Sequence, residues 1–427
     1  MEETIQTIYN DYGISQKLVQ YVEKIEAELT PIFEKYQKIS TYNSLKVLRA
    51  FHAVGVEERH FNGSSGYGMN DLGREKLGAL FATIFGGEEA IVSPLFSSGT
   101  HTLYTALMGL LRPKDTMLVI TGRPYDTLIS ALGIDEEEIP GGLRDMGISY
   151  AEIPLQKDFS IDAEAVLTYL RSDSSVKVVY LQRSKGYEAR PAFTIVQIEE
   201  ITALIKKEFS DVYVFVDNCY GEFTETKEPT EVGVDVIAGS LIKNPGAGIT
   251  PTGGYIIGTK KALNLIAARF TTPATGLEIG SYTPGYRSFF QGIYFAPGVV
   301  YTALKGAILF AGVFSSLGYP VCPKVDAVRA DLPQSITFPT AEELITFVQA
   351  IQKASPIDHF AMPIADDMPG YDAKIIMASG SFIQGSTIEL SADAPIRPPY
   401  TAYFQGGLTE ESIKLALLLA LKDLDII

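Results

Sequence analysis

Cysteine is nearly absent: only Cys219 and Cys322 occur in 427 residues, too few for a disulfide framework or a cysteine-built zinc site. Histidine is scarce as well. His52, His60, His101 and His359 are scattered without metal-ligand spacing, so no metal site is expected. Basic side chains number 35 against 51 acidic ones, a formal charge of −16. That deficit argues against nucleic acid as a partner, although local backbone groups can still hold one small phosphate. The opening Met1-Glu-Glu-Thr-Ile lacks a basic segment followed by an apolar run, so no secretory signal is expected. The most apolar long stretch, Tyr301 to Leu317, is interrupted by Lys305 and is short for a membrane span. With 46% apolar and 20% charged residues, a soluble, cytoplasmic α/β protein of two or three domains is expected, not a membrane protein.

Common catalytic signatures are missing too. There is no His-Glu-x-x-His, Gly-x-x-x-x-Gly-Lys-Ser/Thr, Gly-x-Ser-x-Gly or strand-borne Gly-x-Gly-x-x-Gly. Ser240-Leu-Ile-Lys243 matches the Ser-x-x-Lys of serine acyl-enzymes. However, Asn244-Pro245-Gly246-Ala-Gly248 prevents the helix that motif needs, and neither Ser-Asp-Asn nor Lys-Thr-Gly occurs.

What is present falls into three stretches. Residues 1–60 read as a helical arm: Leu18, Val19, Val22 and Ile25 recur on one face, and Thr30-Pro31 restarts a helix. A glycine-rich loop from Asn62 precedes a helix over Asp71–Phe85. From Glu88 to Thr259, β-branched runs alternate with amphipathic helices: Ala90 to Val92, Met117 to Ile120, Val176 to Leu181, Val212 to Asp217, Val234 to Ile237 and Tyr255 to Gly258. Continuous apolar strands of this kind belong in a mostly parallel sheet covered on both faces. The last ~130 residues read as α+β, with helices over 341–354 and 409–424 and strands at Ile375–Met377 and Thr387–Leu390.

Three segments carry candidate chemistry. Ser97-Ser98-Gly99-Thr100-His101 enters a helix, where free N–H groups and the positive dipole end suit an anion; standing alone, it reads first as a plain helix cap. Val214-Phe-Val-Asp217 puts a carboxylate at a strand's carboxyl end, where open α/β sheets bind ligands; the plain alternative is an Asx cap. Lys243, in apolar surroundings before Asn244-Pro245-Gly246, would have its amine pKa lowered by desolvation and favour Schiff-base formation, although loop lysines are ordinarily solvated. In this chain order an anion cradle, a strand-end carboxylate and a lysine match what pyridoxal 5′-phosphate (PLP) requires. The cradle holds the phosphate, Asp217 keeps the ring nitrogen protonated and Lys243 holds the aldehyde.

Phe61 to Asp71, Phe96 to Thr102, Val216 to Phe223, Ser240 to Gly246, Pro251 to Tyr255 and Ser379 to Ser386 extend the match over nearly the whole chain. Together they resemble fold-type I PLP enzymes of the cystathionine and methionine lyase class, and within it the methionine γ-lyase-like, or aluminium resistance, branch. The resemblance implies a three-layer large domain over 61–295 and a smaller C-terminal α+β domain over 296–427. It implies Lys243 as the Schiff-base lysine, Asp217 as the pyridinium partner, and Ser98, Gly99, Thr100 and Ser240 around the phosphate. Tyr125 would stack on the ring and assist proton transfer, and Asn218 would contact O3′. Tyr67 would reach the phosphate of a neighbouring subunit in a homo-oligomer, a dimer with shared sites that pairs into a tetramer. Two departures stand out. Tyr67-Gly68-Met69 lacks the arginine of the usual Tyr-x-Arg, and Ala402-Tyr403-Phe-Gln-Gly lacks the terminal arginine that grips the substrate carboxylate. A bidentate grip calls for arginine, so Arg397, flanked by prolines, is the candidate and Arg287 its competitor. The expected activity is carbon-sulfur lysis of a cystathionine- or methionine-type amino acid by β- or γ-elimination. An aminotransferase or aldolase on the same scaffold, or a non-catalytic regulator that kept the fold, are the alternatives.

Overall fold

The computed structural model describes residues 2–135, 139–188, 190–368 and 373–426. Its contacts divide the chain into two units: Tyr42–Ala296, and Met1–Thr41 together with Pro297–Ile427. The arm expected at 1–60 is therefore shared between them. Three helices open the chain: α1 (Glu2–Asp11), α2 (Gln16–Glu28) and α3 (Thr30–Val54). Because α3 runs unbroken past residue 41, no linker sets an arm apart. In α2, Ser15 caps the first turn by accepting the Leu18 N–H, and Leu18, Val19, Val22 and Ile25 are buried.

In the larger unit, Asp71 caps α4 (Leu72–Phe85), which leads to β1 (Glu89–Ser93) and α5 (Gly99–Leu110). Then follow β2 (Thr116–Val119), α6 (Asp126–Leu132), β3 (Ser149–Glu152), α7 (Ala163–Ser172), β4 (Val176–Gln182), α8 (Ile195–Glu208) and β5 (Tyr213–Asp217). The unit's sheet is completed by β6 (Val236–Ser240) and β7 (Gly254–Gly258), with α9 (Lys260–Phe270) after it. The strand order is β1-β7-β6-β5-β4-β2-β3. The pairs β3–β2, β2–β4, β4–β5 and β5–β6 are parallel, and β7 is antiparallel to both β6 and β1. Every residue of β2, β5, β6 and β7 is buried, which is why their sequences are continuously apolar. Strand β3, Ser-Tyr-Ala-Glu at the sheet edge, buries no residue fully and has no pattern by which its sequence declares it.

The long α10 (Arg287–Ser316) follows. Contrary to the short apolar run expected at 301–317, it has 30 residues and a mean hydropathy of 1.5 over its most apolar window, long and apolar enough to cross a membrane. Yet 67% of that window is buried in protein, as in a core helix. In the smaller unit Phe310 of this helix stacks on Phe404 at 3.9 Å and meets Phe347 edge-on at 6.1 Å. The remaining elements are β8 (Val321–Cys322), β9 (Gln334–Phe338), α11 (Ala341–Ala354), β10 (Ile375–Ala378), β11 (Ser391–Pro395), β12 (Tyr400–Gln405) and α12 (Glu410–Asp423). Its five strands form an antiparallel sheet in the order β10-β11-β12-β9-β8.

The strand expected at Thr387–Leu390 is not one; these residues form turns, and the strand begins at Ser391. The cause is Glu389, 2% exposed, whose carboxylate accepts the backbone N–H groups of Phe382 (2.8 Å) and Ile383 (3.0 Å). The backbone here turns instead, the Glu389 N–H donating to the Ser386 carbonyl at 3.3 Å.

Candidate active site

The carboxyl edge of the parallel strands gathers most of the expected residues. Gln182 ends β4, Asp217 ends β5 and Ser240 ends β6, while Tyr125 immediately precedes α6. Gly99, the first residue of α5, faces this edge. A Cβ placed on it would lie 3.3 Å from the Ser240 Cβ and 4.0 Å from the Cys219 Sγ. The three segments singled out by sequence therefore meet around Gly99.

Ser98 is a true helix cap: its Oγ accepts the His101 N–H at 3.0 Å. A cap of this kind leaves the first-turn N–H groups of Gly99 and Thr100 without intrahelical acceptors. Thr100 Oγ1 lies 3.1 Å from the Tyr125 hydroxyl, and the Tyr125 N–H donates to Gln182 Oε1 at 2.9 Å. Burial pushes the Tyr125 phenol well above its ordinary range, reinforced by Asp217, so the hydroxyl stays protonated.

Asp217 is 3% exposed. The Cys219 N–H donates to its Oδ1 at 3.1 Å, and the Tyr180 hydroxyl reaches Oδ2 only at 3.4 Å. An Asx turn accounts for the first contact but not for so buried a carboxylate. Desolvation raises its pKa, with the Lys243 ammonium the main opposing influence.

Lys243 lies three residues beyond β6 and precedes a short 3₁₀ turn, Asn244–Gly246. Its side chain is half-buried, and its Nζ stands 3.9 Å from the centroid of the Tyr220 ring. Desolvation alone would lower the amine pKa, as expected from the sequence. The outcome is the reverse: Cys219, Tyr220, Tyr125 and Asp217 surround the amine and together hold it above its ordinary value.

Asn218 has both ends of its side-chain amide engaged by protein groups. It is fully buried, its Oδ1 accepts from Arg183 Nη1 at 2.8 Å, and its Nδ2 donates to Glu228 at 3.0 Å. The physical reason is Arg183, a wholly buried guanidinium that also pairs with Glu225 at 2.8 Å and requires acceptors. Tyr67 is 75% exposed, on a loop whose backbone is pinned: its carbonyl accepts the Gly280 N–H at 2.8 Å, and Arg74 donates to the Gly68 carbonyl at 2.9 Å. Arg287 is exposed, with its guanidinium over the Phe61 ring at 4.8 Å, and no described contact joins it to Lys243. Arg397 is exposed in the turn between β11 and β12.

Four buried polar residues at this edge escaped sequence reasoning: Gln182, Arg183, Glu222 and Glu228. Glu222 is fully buried, accepts from the Tyr255 hydroxyl at 2.6 Å, and has its pKa pushed up by burial to about 8. Nothing in the sequence set Glu222 apart, with Asn218, Thr224, Glu225 and Lys227 close by.

This sheet, with its strand-end carboxylate and following lysine, is the fold-type I architecture of PLP-dependent enzymes. A Campylobacter jejuni structure carrying N′-pyridoxyl-lysine-5′-monophosphate shares the fold at a TM-score of 0.55, with 17% identity over 83% of this chain and 88% of that one. Within that class, the family pattern described as methionine gamma-lyase matches residues 18–425, and the chain belongs to that family. It is 44% identical, with a TM-score of 0.95 and 100% coverage of both chains, to a structure described as a carbon-sulfur lyase involved in aluminum resistance from Clostridium novyi NT. It is also 46% identical to the uncharacterized protein YnbB of Bacillus subtilis (strain 168), over 94% of this chain and 95% of that one.

Proposed function

We propose that the chain is a PLP-dependent carbon-sulfur lyase acting on a cystathionine- or methionine-type amino acid by β- or γ-elimination. The observation that carries this reading is the meeting of the α5 N-terminus, Ser240 and the Asp217–Cys219 segment around Gly99, with Lys243 coupled to Asp217. The residues present fit the cofactor. First-turn N–H groups and Ser240 suit a phosphate, and Asp217, a buried carboxylate held by the Cys219 N–H and thiol and, at long range, by the Tyr180 hydroxyl, would gain a charged partner in a protonated ring nitrogen. When bound, PLP supplies a sink for the electrons left on the substrate Cα. Lys243 would anchor the aldehyde and, once its amine is free, remove the Cα proton. Asp217 would hold the proton on the ring nitrogen, and Tyr125 would offer its ring face with its hydroxyl steadied by Thr100. Sulfur as the leaving atom rests on the family and on the relatives' names.

Arg397 is our assignment for the substrate carboxylate, with Arg287 its competitor. A homo-oligomer in the cytoplasm, dimeric with shared sites and paired into a tetramer, completes the proposal. The exposed Tyr67 (75%) and Met69 (63%), on a loop with a pinned backbone, support a neighbouring subunit there. The test is an absorbance spectrum of purified protein followed by product analysis. A lysine-bound PLP chromophore with release of thiol, 2-oxo acid and ammonia is expected. Amino-group transfer without thiol release would replace lysis by aminotransfer, and absence of the chromophore would remove the enzyme reading.

A further inference from the structure

Tyr220 combines two features that nothing in the proposed chemistry uses. Its backbone is left-handed, φ +69°, a region non-glycine residues rarely adopt. Its ring lies under the Lys243 Nζ at 3.9 Å from the centroid, well within cation–π range. The distortion is held in place from outside. The Gly221 N–H donates to the Asn218 carbonyl at 3.0 Å, and Asn218 is itself gripped by Arg183 and Glu228. The Phe223 N–H donates to the other oxygen of Glu228 at 2.9 Å, and Phe223 is left-handed too, at φ +64°. A buried Arg–Glu–Asn frame thus turns the chain so that an aromatic face meets the amine.

We propose that Tyr220 is a positioning residue whose ring face holds the Lys243 ammonium whenever that amine is free. The proposal rests on Lys243 being the reactive amine, and it adds where the amine waits between anchoring one carbonyl and the next. A lysine chain has four rotatable bonds, and an amine without a seat would sample many orientations. Cation–π attraction holds it without a close ion pair, which would bind it more firmly. The other groups facing the amine are Asp217 at the end of β5, Cys219 just beyond it, Tyr125 before α6, and Glu222, which burial keeps protonated.

The test follows the amine itself. Full-length protein freed of bound aldehyde is labelled with an amine-directed acylating reagent across a pH series, and the Lys243 peptide is quantified by mass spectrometry. In Tyr220→Leu, which keeps a Cβ and hence the same backbone demand, the ring face is gone and the ammonium loses stabilisation. Its labelling profile should move to lower pH by about 0.5–1.5 units. Tyr220→Phe should superimpose on the unaltered protein. Tyr220→Met makes the same comparison if the leucine variant does not fold. An unmoved profile in Tyr220→Leu or Tyr220→Met overturns the proposal, as does a Phe variant that shifts equally far. The same samples are then offered PLP: a chain that labels normally yet binds no PLP at Lys243 overturns the cofactor reading, while the labelling profiles still decide the role of Tyr220.

Discussion

Strands β5 and β11 are both wholly buried, yet they are built from opposite kinds of sequence. Tyr-Val-Phe-Val-Asp is β-branched and aromatic up to its final carboxylate, and a central parallel strand needs little else. Ser-Ala-Asp-Ala-Pro has the composition of a loop. It is a strand because its neighbours complete it: it pairs with β10 and β12, and Gln405 Nε2 donates to Asp393 at 3.2 Å. The same contrast separates the carboxylates Asp217 and Glu389. The first ends a strand at the carboxyl edge of the parallel strands, whereas the second is engaged by two N–H groups of its own loop. Burial that follows from apolar pattern is local information, whereas burial of a polar group depends on partners that the pattern does not name, whether near along the chain or far.

If the β5–β6 edge is the reactive region, the largest effect belongs to Lys243→Ala. Turnover should fall by roughly 10³-fold or more, since anchor and base vanish together. Steady-state kinetics showing near-normal turnover would take the chemistry away from this edge. Asp217→Asn keeps the shape but not the charge, and turnover should drop about 10²-fold with PLP still partly bound. A loss below twofold would mean that the ring nitrogen has another partner.

The smaller unit enters the comparison through Arg397. Replacing a planar, bidentate donor by a point charge in Arg397→Lys should lower kcat/KM about tenfold without changing the cofactor spectrum. An unaltered value there, beside a collapse in Arg287→Lys, would transfer the carboxylate grip to the larger unit. The smallest expected effect is on stability. Glu222 keeps its proton to about pH 8 in the folded chain, against an ordinary 4.5. Between those values the folded state binds the extra proton, so this group's contribution is full below the ordinary pKa and is lost as pH rises to about 8. The slope is at most about 1.4 kcal/mol per pH unit. Denaturant midpoints across that window should fall less steeply in Glu222→Gln; an identical slope would show that Glu222 is ionised in the fold.

Asp217, Gly99 and Lys243 were legible because each sits where an apolar run ends, and chain order alone arranges such ends along one sheet edge. Arg183, Glu222 and Glu228 were not, since polar residues in sequence give no sign of being buried until their partners are known. The direction of the Lys243 shift was hidden for a related reason. Desolvation can be anticipated from apolar neighbours in sequence, but the opposing groups come from two segments far from Lys243 along the chain, Tyr125 before α6 and Asp217, Cys219 and Tyr220 at the end of β5.

Sequence by itself determined the alternation of apolar strands and amphipathic helices, and hence a mostly parallel sheet. It also determined which residue types stand at those strand ends. Tertiary structure alone decided that Asn218 serves Arg183, that Glu389 is engaged by its own loop, and that Tyr220 is turned beneath Lys243. Periodicity is written in neighbouring residues, whereas hydrogen-bond partners, ring faces and electrostatic balance arise between residues that only folding brings together.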